Sequence, residues 1–306
     1  MSDAPAASTA ADRVVLVDGY SQIYRNFYAI RGLTSPTGQP SNALYGMARF
    51  LLSLDTAFPH TYGALVLDKG RPAHRLALLP EYKATRPPMP DDLRAQVEPI
   101  RSWATALGWT VLQVEGFEAD DLIAAVVAAC PQHEVGIVTQ DKDLGQLVGT
   151  RVSLLQAAPK GGLERLGVAE VTAKFGVPPE RLCDYLALVG DGVDNIAGVN
   201  GVGPKTAVTL LRRFGSAQGI LEHAAEIEKP ALRQAVSAAA VTLQRNLALI
   251  ALTRTLPPDW RSLEDIRRRP PNWDALLDMA REYGFKSLLA DLEKRRQEAC
   301  TPRLFA

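Results

Sequence analysis

The chain has 306 residues, 34 basic and 34 acidic side chains, and a hydrophobic fraction of 47%. That is enough apolar material for one large domain or a core with a smaller appendage, while zero formal charge excludes a uniformly basic nucleic-acid binder, so any phosphate contact must come from local patches. Three scattered cysteines (Cys130, Cys183, Cys300) without a CxxC pair exclude a disulfide framework and a cysteine zinc site.

Residues 1–12 are rich in Ala and Ser, with no basic start and no apolar core, and read as a flexible tail. No run approaches the ~20 apolar residues of a membrane span. A cytoplasmic monomer without membrane contact is the expectation. Val14–Val17 is a short β-branched run ending at Asp18, as expected of a strand buried on both faces in a parallel sheet. Asn42–Phe58 has apolar residues at helical spacing. Ala64–Leu67 repeats the strand pattern and ends at Asp68. The interval Arg71–Pro90 holds five prolines and no period, which marks a functional or disordered loop. Asp92–Leu107 opens after Pro90 with acidic residues, a good helix start.

The run Val111–Val114 precedes Glu118-Ala-Asp120-Asp121, which opens another helix, and Val135–Thr139 ends beside Asp141 and Asp143. Alternating strands and helices predict a mostly parallel α/β sheet flanked by helices. From about Val168 the strand signals stop, so a helical region is expected over 168–294 after an α/β core over 13–167. The last helix is expected over about Trp273–Lys294, with a polar tail over 295–306.

Ligands of open parallel sheets sit outside the carboxyl ends of the strands. Asp18, Asp68, Glu118, Asp120, Asp121, Asp141 and Asp143 all belong near that edge, and Asp191 and Asp194 follow the apolar run Leu186–Val189. Singly, each reads as well as a helix cap. Together they do not, because two carboxylates ~5 Å apart repel by roughly 3 kcal/mol at an effective dielectric of ~20. A set gathered without basic partners needs cations, and oxygen-only ligation selects Mg²⁺, Mn²⁺ or Ca²⁺ over zinc. Two such ions ~4 Å apart suit phosphodiester hydrolysis. Receiver-type phosphotransfer sites use fewer carboxylates.

Gly198–Ala207, GVNGVGPKTA, links two helical patterns. Its glycines permit close approach of backbone N–H groups to phosphate, Pro204 fits a first helical turn, and Lys205 adds charge. This suits a helix–hairpin–helix, over about 184–215, that grips a duplex backbone without reading bases.

At this point the chain resembles the 5′ nuclease of bacterial DNA polymerase I and the flap endonucleases. The matching pieces run from Val14 to about Leu289: VLVDGYSQIYRNFYAIRGLTSPTGQP, PEYKATRPPMPDDLRAQ, EGFEADDLIAAV, VTQDKDLGQLV, KFGVPPERLCDYLALVGDGVDNIAGVNGVGPKTA and YGFKSLL. The resemblance implies a PIN-like or resolvase-like core and two or more Mg²⁺ ions, with Mn²⁺ able to substitute. Asp18, Asp68 and Asp141 are then catalytic ligands beside Glu118, Asp120, Asp121, Asp143, Asp191 and Asp194. It also implies an arch over about 71–92 for single-stranded 5′ ends, with Lys83 stabilising the scissile phosphate and Tyr82 stacking on a base. Arg25, Arg75 and Arg86 are implied phosphate contacts. Gly201, Gly203, Lys205 and Thr206 are implied duplex contacts, with K⁺ held by hairpin carbonyls.

The implied substrates are DNA with 5′ flaps, nicks or 5′ ends, and RNA primer ends. A catalytically silent junction-binding module of the same fold is the alternative, against which the complete carboxylate set argues. Gln140, the shifted basic residue in Asp68-Lys69-Gly70, and Ala197 depart from the family pattern without removing a carboxylate. The chain ends where a polymerase would begin, and its N-terminal extension favours a stand-alone nuclease. No clamp or polymerase partner is identified, although Leu304-Phe305 is a docking candidate.

Overall fold

The computed structural model describes residues 13–158 and 162–300. The tail expected over 1–12 and the Leu304-Phe305 pair lie outside the described residues. In chain order, β1 (Arg13–Asp18) leads to α1 (Gly19–Ala29) and α2 (Asn42–Ala57). Next come β2 (Tyr62–Val66), α3 (Ala73–Leu78), α4 (Asp91–Ala106), β3 (Thr110–Leu112) and α5 (Ala119–Ala129). β4 (Glu134–Val138) is followed by a 3-10 turn (Asp143–Leu147), β5 (Val152–Ala157) and β6 (Leu163–Leu166). The sheet order is β3-β2-β1-β4-β5-β6, parallel except for β6, which runs antiparallel to β5.

Neither β5 nor β6 was expected. Ser153 and Gln156 interrupt the apolar run of one, and the other is a largely exposed edge strand. The central strand behaves as its sequence requires, with Val14–Val17 fully buried. Successive side chains of a strand point to opposite faces. Val14 and Leu16 therefore join the core under α5, while Val15 and Val17 join the core under α1, α2 and α4. The order reverses between β1 and β4, so the crevice beyond their carboxyl ends is the topological switch point where ligands of open sheets bind.

The remainder is mostly helical: α6 (Val168–Phe175), α7 (Leu182–Val189), α8 (Pro204–Phe214), α9 (Ala217–Glu222), α10 (Pro230–Ala238), α11 (Ala240–Ile250), α12 (Trp273–Glu282) and α13 (Lys286–Cys300). Strand pairing does not stop entirely, because β7 (Gly190–Asp191) pairs antiparallel with β8 (Ile196–Ala197). The single helix expected over Trp273–Lys294 is two helices. Gly284, at φ 70°, breaks it in the left-handed conformation that glycine adopts without steric cost. α13 then continues to Cys300, into the expected tail.

These last two helices leave the helical region and return to the first layer. Leu276, Leu277, Phe285, Leu288 and Leu292 pack in one cluster with Leu44, Met47, Ile100 and Trp103. The segment 71–90 is also not a free loop. It contains α3, and Arg75 and Tyr82 are only 3% and 5% exposed.

Candidate metal centre and nucleic-acid interface

The parallel register places three strand-end acids along one edge. Asp18 ends β1 opposite Val66, Asp68 lies two residues beyond Val66, and Asp141 lies three beyond Val138. Asp18 caps α1, accepting from Ser21 N at 3.4 Å, and takes the Thr139 hydroxyl at 2.7 Å. Thr139 Oγ1 also accepts from Asp141 N at 2.8 Å, so one buried hydroxyl aligns two acids. Sequence reading passed over Thr139, although it sits directly before the QDKD run. Asp68 accepts from Ala119 N at 2.8 Å, at the start of α5. Asp120, one residue further on, is half-buried.

A second group sits on the helical side. Asp191 and Asp194 occupy the tight hairpin closed by β7 and β8, and one oxygen from each of Asp143, Asp191 and Asp194 lies within 4.8 Å of the others. The hairpin needs Gly198, whose hypothetical Cβ would meet Val189 O at 2.2 Å. Asn246, fully buried on α11, fastens it by donating to Ala187 O at 3.0 Å and Ala197 O at 2.8 Å. Nothing near Asn246 in the sequence signals this task.

The two groups form one electrostatic basin. Burial, followed by Asp141 and Asp68, pushes the Asp18 carboxyl up to about 7. Asp143 is pushed up to about 8 by burial, then by Asp141, Asp191 and Asp194. Asp120 is raised well above the ordinary range by burial, then by Asp141 and Asp18, and Asp68 and Asp141 are raised chiefly by burial. Asp141 thus adds negative charge at Asp18 and Asp120 on the sheet edge and at Asp143 beside the hairpin. The buried Asp143 Oδ1 has no hydrogen-bond partner. Buried, mutually repelling carboxylates with an orphaned oxygen, and no His or Cys among them, are a fitting donor set for hard divalent cations. Asp18, Asp68, Glu118, Asp120, Asp141, Asp143, Asp191 and Asp194 would hold them.

The charge crowding has a measurable consequence. A carboxyl raised in the folded state binds a proton that the unfolded chain has already lost, so metal-free stability declines as pH rises from about 4 to about 8. Asp143→Asn should raise the melting temperature in EDTA by ~3–6 °C at about pH 8.5, with a smaller effect at about pH 5.5. A lower melting temperature at both pH values would contradict this reading of the basin.

Two expectations need correction. Asp121 is fully buried on α5 and its carboxylate is taken up by protein partners, accepting from the two terminal guanidinium nitrogens of Arg75 at 2.5 and 2.9 Å and from Thr253 N at 2.8 Å. It is a structural acid. Arg75 is correspondingly not a phosphate contact: it also donates to Glu118 and, through Nε, to Leu249 O at 2.9 Å, binding the arch base to α5 and α11. Removing one partner of such a buried pair strands the other charge at a cost of ~3–5 kcal/mol.

Nor do the carboxylates all lack basic partners. Glu118 holds Lys83 at 2.5 Å, Asp194 holds Arg86 at 2.5 Å, and Asp191 holds Lys142 at 3.0 Å. Tyr82 is buried, with its hydroxyl donating to Asp194 at 3.1 Å, and offers no face for base stacking in this conformation.

The family model of the 5′-3′ exonuclease N-terminal resolvase-like domain matches residues 13–176, and that of the 5′-3′ exonuclease C-terminal SAM fold matches residues 177–274. The chain belongs to the 5′-3′ exonuclease family. The 5′-3′ exonuclease of Aquifex aeolicus is 35% identical over 292 residues, covering 95% of this chain and 98% of that one. DNA polymerase I of Pseudomonas aeruginosa is 47% identical over 210 residues, which are 68% of this chain but 23% of the polymerase. The chain thus spans about a quarter of the length of that polymerase.

Among solved structures, the bacteriophage T5 5′-exonuclease with bound zinc superposes with a TM-score of 0.65 at 22% identity, covering 94% of this chain and 98% of that one. The catalytic core of Rad2 in complex with DNA substrate gives 0.62 at 16% identity, covering 92% of each. Both share the fold of this exonuclease-family chain.

The remaining expected contacts lie on the surface. Arg25 is exposed on α1. Gly201, Gly203 and Lys205 are exposed, and Thr206 is half-buried, at the amino end of α8, where Pro204 occupies the first turn. The unsatisfied N–H groups there face solvent, as an anion site requires.

Proposed function

We propose that this chain is a structure-specific 5′ nuclease that hydrolyses DNA phosphodiesters at 5′ flaps, nicks and 5′ ends, using Mg²⁺ at the carboxylate basin. The observation that carries this reading is a single crowded basin shared by the sheet edge and the hairpin directly preceding the α8 amino end. Bound divalent ions supply Lewis acidity, lower the pKa of an attacking water and offset charge on the phosphate.

The chain's own groups do the positioning. Lys83 Nζ, now 2.5 Å from Glu118, is the cation available to the scissile phosphate. Arg25 on α1 and Arg86 on the arch are exposed and would contact the flanking phosphates. The α8 amino end with Lys205 binds the duplex backbone irrespective of sequence. We assign the arch to about 71–92, the core to 13–167 and the hairpin to about 184–215.

The test is a substrate panel in Mg²⁺: a 5′ flap, a nick, a 3′ flap and a covalently closed duplex circle. The 5′ flap and nick should be cut, and the other two left intact. Equal cutting of 5′ and 3′ flaps would overturn the assignment of polarity.

A further inference from the structure

The arch base is joined to the metal-side hairpin at one place, and that joint is built from the same charges the basin needs. Lys83 lies 2.5 Å from Glu118 and 3.7 Å from Asp194. Arg86 lies 2.5 Å from Asp194, and the Tyr82 hydroxyl donates to it at 3.1 Å. The backbones meet as well: Lys83 N–H donates to Asp194 O at 3.1 Å, and the Asn195 side chain donates to Glu81 O at 3.0 Å.

Non-glycine left-handed backbone is concentrated at the same joint. Among the described residues, Lys83 (φ 55°) and Asn195 (φ 59°) are the non-glycine residues with positive φ, and they face each other across it. Asn adopts left-handed backbone readily, but at Lys83 it is uncommon and persists where the surroundings enforce it. The enforcing contacts here are ion pairs and hydrogen bonds to Glu118 and Asp194. A divalent cation taking oxygens from these two acids would compete for the same lone pairs that Lys83, Arg86 and Tyr82 now occupy.

We propose that Lys83 and Arg86 are displaceable counter-ions of Glu118 and Asp194, so that binding a divalent cation unlatches the arch base from the hairpin and releases both side chains towards the DNA. This rests on the proposed metal-dependent nuclease. It adds that the arch is latched without metal and that Arg86 is a positioning residue acting through Asp194. The joint then orders events: metal first, an open arch second, and a single-stranded 5′ end third. A ligand can shift such an equilibrium only through its differential affinity for the two states, and here the difference is the loss of these pairs.

The probe is Ca²⁺ with the DNA-free protein, so neither readout depends on cleavage. Hydrogen exchange should show the Lys83 amide, which donates to Asp194 O, exchanging at least about tenfold faster in saturating Ca²⁺ than in EDTA, while amides of β1 and β4 stay protected. By calorimetry, Arg86→Gln should bind Ca²⁺ up to about fivefold more tightly, since the ion no longer displaces a partly exposed ion pair. Arg86 is 43% exposed, so its loss does not threaten the core.

Unchanged or slower exchange at Lys83 in Ca²⁺ that calorimetry shows to be bound would overturn the latch. So would Arg86→Gln affinity equal to or weaker than wild type. Failure of the wild-type protein to bind any divalent ion would sink the nuclease reading together with the latch, whereas binding without unlatching would sink the latch alone.

Discussion

Asp141→Ala should leave a labelled 5′ flap essentially uncut in Mg²⁺, with single-turnover cleavage slower by on the order of 10³-fold or more. The reason is position. Asp141 is a leading electrostatic neighbour of Asp18, Asp120 and Asp143, and itself feels Asp194 and Asp191. Removing it takes away a carboxylate that adds charge to both halves of the basin, so ions held at the sheet edge and at the hairpin would lose a common anchor. Misfolding is an unsuitable explanation for such a loss, because deleting one of several repelling acids relieves the metal-free protein. Its melting temperature in EDTA should not fall, and flap binding in Ca²⁺ should persist through the hairpin. Cleavage within tenfold of wild type would show that Asp141 is not a shared ligand.

Lys83→Ala should slow the same step by about 10²–10³-fold, while weakening flap binding by less than about threefold. Lys83 is 19% exposed on its side chain and is held in a left-handed backbone conformation that a solvated loop lysine would not keep. Its ammonium sits beside Glu118 and Asp194, at the edge of the basin, so a divalent ion that takes over these carboxylates would leave its charge free for the reacting phosphate. A group that stabilises charge only as the bond breaks alters the rate far more than affinity. Equal losses in rate and binding would reduce Lys83 to a general phosphate contact.

Much of this was legible in the sequence because strand ends and helix starts carry strong local signals. Asn42–Phe58 and Asp92–Leu107 were placed within a residue or so of the observed α2 and α4. The three strands ending in acids delivered Asp18, Asp68 and Asp141 to one edge because parallel register leaves little freedom there. What failed depended on side-chain direction or on distant partners. Asp120 and Asp121 are adjacent, but one residue turns a helix by about 100°, which sends Asp121 into the core towards Arg75, 46 positions away. A proline-rich basic segment gives no hint that one of its arginines is buried.

Asn246 is invisible for the same reason, since its partners Ala187 and Ala197 lie 59 and 49 positions away. The broken last helix was readable: Gly284 followed by Phe285 is a helix-ending signal that apolar periodicity on either side obscured. The zero net charge was harmless as a total and misleading as a guide, because the counter-charges are local and several are already spent on Glu118, Asp191 and Asp194.

Whether the carboxylate basin is a divalent-metal nuclease site is decided by cleavage itself. The most direct measurement is single-turnover cleavage of a 5′-flap substrate by the unaltered protein, first in EDTA and then after addition of Mg²⁺. The expected result is an intact flap in EDTA and a discrete cut near the flap junction once Mg²⁺ is added, with Mn²⁺ also effective. A flap that stays full length after prolonged incubation with either ion, although bound to the protein, would contradict it and leave a junction-binding module of the same fold.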